Sequence, residues 1–187
     1  MTTTLNKIKA QSPCKNGWDV LLNHLGKTQA YDEPLSIATI IKSNGIQDAV
    51  WALRAVEGND KEIKLFAADC AESVLHIYEK QYPNDDLPRK AIQAARDYAN
   101  GVIGKDVLAA ARTAARDAAG DAAGTAARDA AWDAAGTAAW AAAGDAAWAA
   151  AWAAAGAAAW AAAGDAAGNA AGATKWKEIE LLLTKYL

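Results

Sequence analysis

An all-α architecture follows from three features of this 187-residue chain. Apolar residues between Trp18 and Tyr98 recur at three- and four-residue steps, the period of one helix face. No stretch alternates apolar and polar residues as a half-buried strand does. From Arg112 to Ala171, fifteen four-residue units of the form x-y-Ala-Ala run without a slip, and alanine has the highest helix propensity. The expected form is a multi-helix bundle or short α-solenoid, with Ala/Gly/Trp-packed helical hairpins in the C-terminal half. Residues 1–58 read as an N-terminal helical extension and 59–187 as an Ala-rich helical domain, an arrangement also compatible with one continuous fold.

Ser12-Pro13 is suited to open the first helix, which carries Trp18, Leu21, Leu22 and Leu25 on one face and stops at Gly26. Asp32-Glu33-Pro34 starts a second with Leu35, Ile37, Ile40 and Ile41, ending near Asn44-Gly45. The third, Ile46 to Val56, stops at Gly58. Asn59-Asp60 then caps a longer helix through Tyr82, whose Ile63, Phe66, Ala67, Cys70, Val74, Ile77 and Tyr78 form its inner stripe. Pro83 ends it. Asp85-Asp86 and Pro88 open the next, Arg89 to Ala99, followed by Gly101. The last element, Lys175 to Leu187, carries an apolar stripe of Trp176, Ile179, Leu182, Leu183 and Leu187 that should dock on the body.

The tetrads have a geometry of their own. A helix turns about 100° per residue, so each unit of four advances the pattern by about 40°. The Ala-Ala stripe therefore spirals, and no single face stays apolar. Gly and Trp trade places at the first position, a large–small alternation by which packed layers interdigitate. This reading places the Trp side chains in the core; the other places some of them on a partner-binding surface. Gly-Asp at 120–121, 144–145 and 164–165 combines a C′ glycine with an N-cap aspartate, so the segment is expected to break there into hairpins rather than run as one rod.

Composition excludes several functions. Nineteen Lys and Arg against twenty-two Asp and Glu give a net charge of −3, too little positive charge for an extended nucleic-acid footprint. Cys14 and Cys70 follow no ligand spacing and are expected as free thiols, consistent with a cytoplasmic setting. No apolar h-region follows Met1. The uncharged run between Asp145 and Asp165 is long enough to span a membrane, but it holds only Ala, Gly and Trp, and its Trp residues are spread along its length. No membrane association is expected.

Little catalytic chemistry is visible. Leu25-Gly26-Lys27-Thr28 resembles the end of a phosphate-binding loop, yet the first Gly of such a loop would fall at Leu21. His24 and His76 are isolated, although Glu72 and Asp69 lie one and two turns before His76, close enough for a local pair. No cluster has metal-ligand spacing. Neither an enzyme, a metal nor a cofactor is expected. Asp117, Asp121, Asp129, Asp133, Asp145 and Asp165 share the second tetrad position but spiral with it.

Three blocks carry a resemblance: Phe66-Ala67-Ala68-Asp69-Cys70-Ala71-Glu72-Ser73-Val74-Leu75, Tyr82-Pro83-Asn84-Asp85-Asp86-Leu87-Pro88-Arg89, and Ala91 to Gly101. Together with the Ala tetrads, over roughly residues 60–187, they resemble the "putative immunity protein" family associated with bacterial polymorphic-toxin systems. The N-terminal part looks like an extension seen in similar proteins of bacteria and their phages. The resemblance implies a helical, non-enzymatic cytoplasmic protein that binds and blocks a protein toxin or effector. Candidate partner contacts are Asp69, Glu72, Asp85, Asp86, Arg89 and Arg96, charged residues in the most motif-like blocks. The plainer reading is that Asp85-Asp86 caps a helix and Arg89 or Arg96 pairs with it. An alternative role, phage-borne counter-defence, would sequester a nucleotide signal in a pocket built from Arg112, Arg116, Arg128 and Trp132, with guanidinium on phosphate and indole on base. A third is a purely structural helical module. Close Ala packing would serve a homodimer as well as a monomer.

Overall fold

The computed structural model describes residues 1–121 and 165–187, with 81, 116–121 and 165–171 described by backbone alone. Over these residues the chain forms eight α-helices, one 3-10 turn and a two-residue ribbon. The ribbon pairs β1 (Thr2–Thr3) with β2 (Leu35–Ser36), antiparallel. Between them lie α1 (Leu5–Ala10) and α2 (Lys15–Leu25). Then come α3 (Ile37–Asn44), α4 (Ile46–Ala52) and the 3-10 turn Leu53–Ala55. The longer elements are α5 (Asp60–Gln81), α6 (Leu87–Ala99), α7 (Lys105–Asp121) and α8 (Asp165–Thr184).

The central element is α5. Its Phe66, Ala67, Cys70, Ala71 and Val74 are fully buried, as their three- and four-residue spacing requires. α6 packs along α5, and α7 along α6. Buried alanines on both α5 (Ala67, Ala68, Ala71) and α6 (Ala91, Ala95) let the two backbones approach closely. α8 packs on α4 and α5, burying Ile179 and Leu183 completely while Leu187 stays outside at 39% exposure. Leu5, Leu21, Ile37 and Val50 belong to the same apolar cluster as Phe66 and Ile179, so the N-terminal helices and the family of longer helices share one core.

Several boundaries differ from expectation for local reasons. α1 forms where no helix was expected: Thr4 Oγ1 accepts from the Lys7 backbone N–H at 3.2 Å, and Leu5 and Ile8 face inward. The second helix of the chain is capped by the thiol of Cys14, not by Ser12, with Sγ 3.4 Å from the Gly17 N–H. Gly26 ends it at φ 62°, a left-handed position that only glycine adopts freely. Leu35 pairs in β2 instead of entering a helix, and Ser36 Oγ, accepting from Thr39 N–H at 3.0 Å, starts α3 in place of Asp32-Glu33-Pro34. Thr3 is buried and its hydroxyl donates to the Ala55 carbonyl, which ties β1 to the 3-10 turn.

Two expectations about the Ala-rich part meet described residues. Gly120 and Asp121 are both helical within α7, so Gly120 does not stand outside the helix as a C′ residue. A helical glycine costs only about 1 kcal/mol relative to alanine, a penalty that the alanines before Gly120 offset. Likewise the last helix begins ahead of Lys175, running through Gly168 and Gly172. The break expected at 144–145 and the residues Trp132, Trp140, Trp148, Trp152 and Trp160 lie outside the described residues. The uncharged run from 145 to 165 lies outside them too, apart from Asp165 itself. Among the described residues no helix is long and apolar enough to cross a membrane.

Candidate functional site

The helical period of α5 that buries Phe66, Cys70 and Val74 sends a second stripe outward: Asp69, Glu72, His76 and Glu79, at steps of three and four. α6 answers with Arg89, Gln93 and Arg96 at the same steps. Because the short Tyr82–Asp86 turn reverses the chain, the two stripes meet in opposite order. Arg89 donates from Nε and Nη2 to the two carboxylate oxygens of Glu79, both at 2.7 Å. About two turns further along, Arg96 Nη2 donates to Asp69 Oδ1 at 2.7 Å and to Glu72 Oε2 at 2.6 Å.

The Arg96 cluster is the less exposed of the two, with side chains 22% exposed for Arg96 and 19% for Asp69, against 56% for Arg89. Asp69 uses its other oxygen to accept from the Tyr186 hydroxyl at 2.8 Å, which brings the C-terminal end of the chain into the network. The Tyr186 ring meets Phe66 edge-on, with centroids 6.4 Å apart. Partial burial works against the Arg96 charge, but the hydrogen bonds to Glu72 and Asp69 outweigh it and hold the guanidinium pKa above its ordinary value. Burial, followed by the bond to Asp69, likewise raises the Tyr186 phenol.

Between the helices lies a groove of about 320 Å³. Glu72, Asp86, Arg89, Lys90, Gln93 and Arg96 form its polar walls over the apolar Leu75 and Ile92. Four of the six candidate contacts, Glu72, Asp86, Arg89 and Arg96, therefore share one groove, and Asp69 is one hydrogen bond away. Asp85 has a different position. Its Oδ2 accepts from Tyr78 O–H at 2.5 Å and its Oδ1 from Leu87 N–H at 3.0 Å, so it fixes the start of α6. The expected Asp85-Asp86 cap holds for Asp85 alone, since the N-cap residue Asp86 makes no side-chain cap bond, and Arg89 and Arg96 pair back to α5 instead of with Asp85-Asp86. Asp86 pairs with Lys90 at 2.9 Å. Asp69 and Glu72 meet Arg96, not His76.

Glu79, Lys90 and Tyr186 join this candidate site without having been singled out by the sequence. Glu79 is detectable as the next step of the acidic stripe and Lys90 as i+4 from Asp86. Tyr186 carries no local signal. Nor does Lys175, which is buried against α5 and donates to the Ser73 carbonyl at 3.1 Å and to Glu178 at 2.6 Å.

Chemically, the groove presents fixed charges of both signs and no nucleophile held by a base. Cys70 does not line it but is buried in the core, and burial raises its thiol pKa far enough to keep it protonated and unreactive. Lys27, from the loop-like Gly26-Lys27-Thr28 run, sits over the Tyr31 ring and pairs with Glu33 at 3.3 Å, with Gly26 as a helix cap. Of the alternative pocket, Arg112 lies half-exposed on α7, the Arg116 side chain is outside the description, and Arg128 and Trp132 lie outside the described residues. Among the described residues no group of three His, Cys, Asp or Glu side chains could hold a metal ion.

Residues 54–178 match the family model described as "Imm-5 like putative immunity protein". No curated protein and no solved structure matches the chain. The matched segment takes in all of α5, α6 and α7 and about two-thirds of the sequence. With its charged groove inside that segment, this chain belongs to the Imm-5 like putative immunity protein family.

Proposed function

We propose that the protein neutralises a cognate toxin by stoichiometric binding, without catalysis, in the cytoplasm of the cell that makes the toxin. The groove between α5 and α6 is the contact surface in this reading, with Glu72, Asp86, Arg89 and Arg96 facing the partner. The observation that carries it is the groove itself: opposed acidic and basic stripes inside the family segment, held in register by bidentate pairing. A surface of fixed, alternating charge favours a partner of complementary pattern and penalises others through unpaired or like charges. Asp69 and Asp85 act behind it, holding Arg96 and the start of α6.

The test is co-expression with the toxin encoded at the same locus, followed by co-purification and a growth assay. Rescue of growth together with a one-to-one complex supports the proposal; toxicity unrelieved by co-expression, with no complex recovered, overturns it.

A further inference from the structure

Outside the family segment, a cleft of about 210 Å³ opens among α1, α2, α3 and α4. Its walls are mostly apolar: Ile8, Leu21, Ile40 and the rings of Trp18 and Trp51. Among the described residues Asp48 is the only carboxylate that lines it, and no Lys, Arg or His does. The carboxylate is held in place. Asn44 Nδ2 donates to Asp48 Oδ2 at 2.8 Å and to the Gly17 carbonyl at 2.8 Å, which joins α3 to both neighbouring helices. Gly17 leaves the space that the carboxylate occupies, since a Cβ there would lie 2.7 Å from Asp48 Oδ2.

We propose that this cleft binds a small organic cation, an ammonium group carried on a short apolar body. Charge sets the sign: a lone carboxylate in an apolar wall attracts a cation and repels a carboxylate or phosphate. The rings suit the same ligand, because a cation is drawn to an indole face. Size sets the class: the volume falls below the roughly 300–1,000 Å³ typical of drug-sized ligands, which suits a fragment better than a nucleotide. This site is independent of the toxin-binding reading, since none of its lining residues belongs to the groove.

Calorimetry on the full chain with phenethylamine and with 3-phenylpropionate, matched in ring and opposite in charge, tests the proposal. Phenethylamine is expected to bind one site with a dissociation constant on the order of a millimolar or tighter, and the carboxylate at least about tenfold more weakly. Asp48→Asn should remove that preference, and Gly17→Ala, which pushes the carboxylate aside, should weaken the amine. Nα-acetyl-lysine methylamide separates sources: its binding extends the site to a partner's lysine, and its failure beside a binding phenethylamine restricts the site to free amines. Equal affinity for amine and carboxylate, or no binding of any amine, overturns the assignment. The wild-type comparison needs no variant, so it stands even where a substitution unfolds the chain.

Discussion

The groove on α5 and α6 and the cleft among α1 to α4 treat charge in opposite ways. In the groove, Arg89, Lys90 and Arg96 are each neutralised by Glu79, Asp86, or Asp69 with Glu72, and the walls stay polar. In the cleft, one carboxylate faces apolar walls, braced by a neutral amide. The first arrangement arises from helix periodicity, because two antiparallel helices with opposite stripes must pair along their length. The second depends on four short helices meeting at one point. A surface of mutually paired charges can be re-paired by a partner with little desolvation, whereas a carboxylate in an apolar cleft discriminates by charge and size. The two regions are thus built for different kinds of ligand.

Removing the centre of the groove should have the largest effect. Arg96→Met leaves Asp69 with only Tyr186 and Glu72 with no partner across the groove, and should cost about 2–3 kcal/mol in denaturant unfolding. Arg89→Met, at an exposed pair, should cost within about 1 kcal/mol, so equal losses at the two positions would break the distinction drawn between them.

The two thiols sharpen the comparison further. Cys70 is buried in the core on α5, and Cys14 is exposed at the cleft. The buried thiol keeps its proton in the folded state to a higher pH than an unfolded thiol, whose pKa is near about 8.5. Above that pH the unfolded chain therefore binds fewer protons than the folded one, and stability falls by about 1.4 kcal/mol per pH unit. The raised phenols of Tyr78 and Tyr186, shifted first by burial and then by hydrogen bonds to Asp85 and Asp69, extend this loss above about pH 10. Cys70→Ala should remove the earlier part of the decline, as measured by unfolding midpoints at stepped pH. Iodoacetamide should meanwhile label Cys14 in the folded protein and Cys70 only on unfolding.

Partner binding should respond to the outer charges. Arg89→Glu combined with Lys90→Glu is expected to weaken the toxin complex about tenfold or more, mainly through a faster off-rate and a loss of salt sensitivity. An unchanged affinity would move the interface away from the groove. The smallest expected effect is at the cleft's edge. Cys14→Ser replaces a weak sulfur cap of α2 with a hydroxyl, and should raise stability by about 0.5 kcal/mol in thermal unfolding.

Much of the groove is legible in the order of residues alone. The acidic residues Asp69 and Glu72 and the arginines Arg89 and Arg96 stand out because helical spacing and a Pro-Asn-Asp-Asp turn are local properties. Their pairing is not legible. Asp85 and Asp86 are nearer to Arg89 in sequence than Glu79 is, yet Asp85 is already engaged by Tyr78 and Leu87 and Asp86 by Lys90. The cleft escapes detection altogether, because Gly17 is distant in sequence from Asn44 and Asp48, and these two, although four residues apart, belong to different helices.

By itself the sequence determined the helical state of the chain, the inner and outer faces of α5 and α6, and the membership of its longer part in a family. These depend on neighbours three and four residues apart, which any helix brings together. Tertiary structure decided the rest: the clasp of β1 on β2, the reach of Tyr186 to Asp69, the burial of Lys175 and the choice of Glu79 for Arg89. Each of those contacts depends on how helices cross and where turns send them. That geometry is set by the packing of the whole core, and no short stretch of residues encodes it.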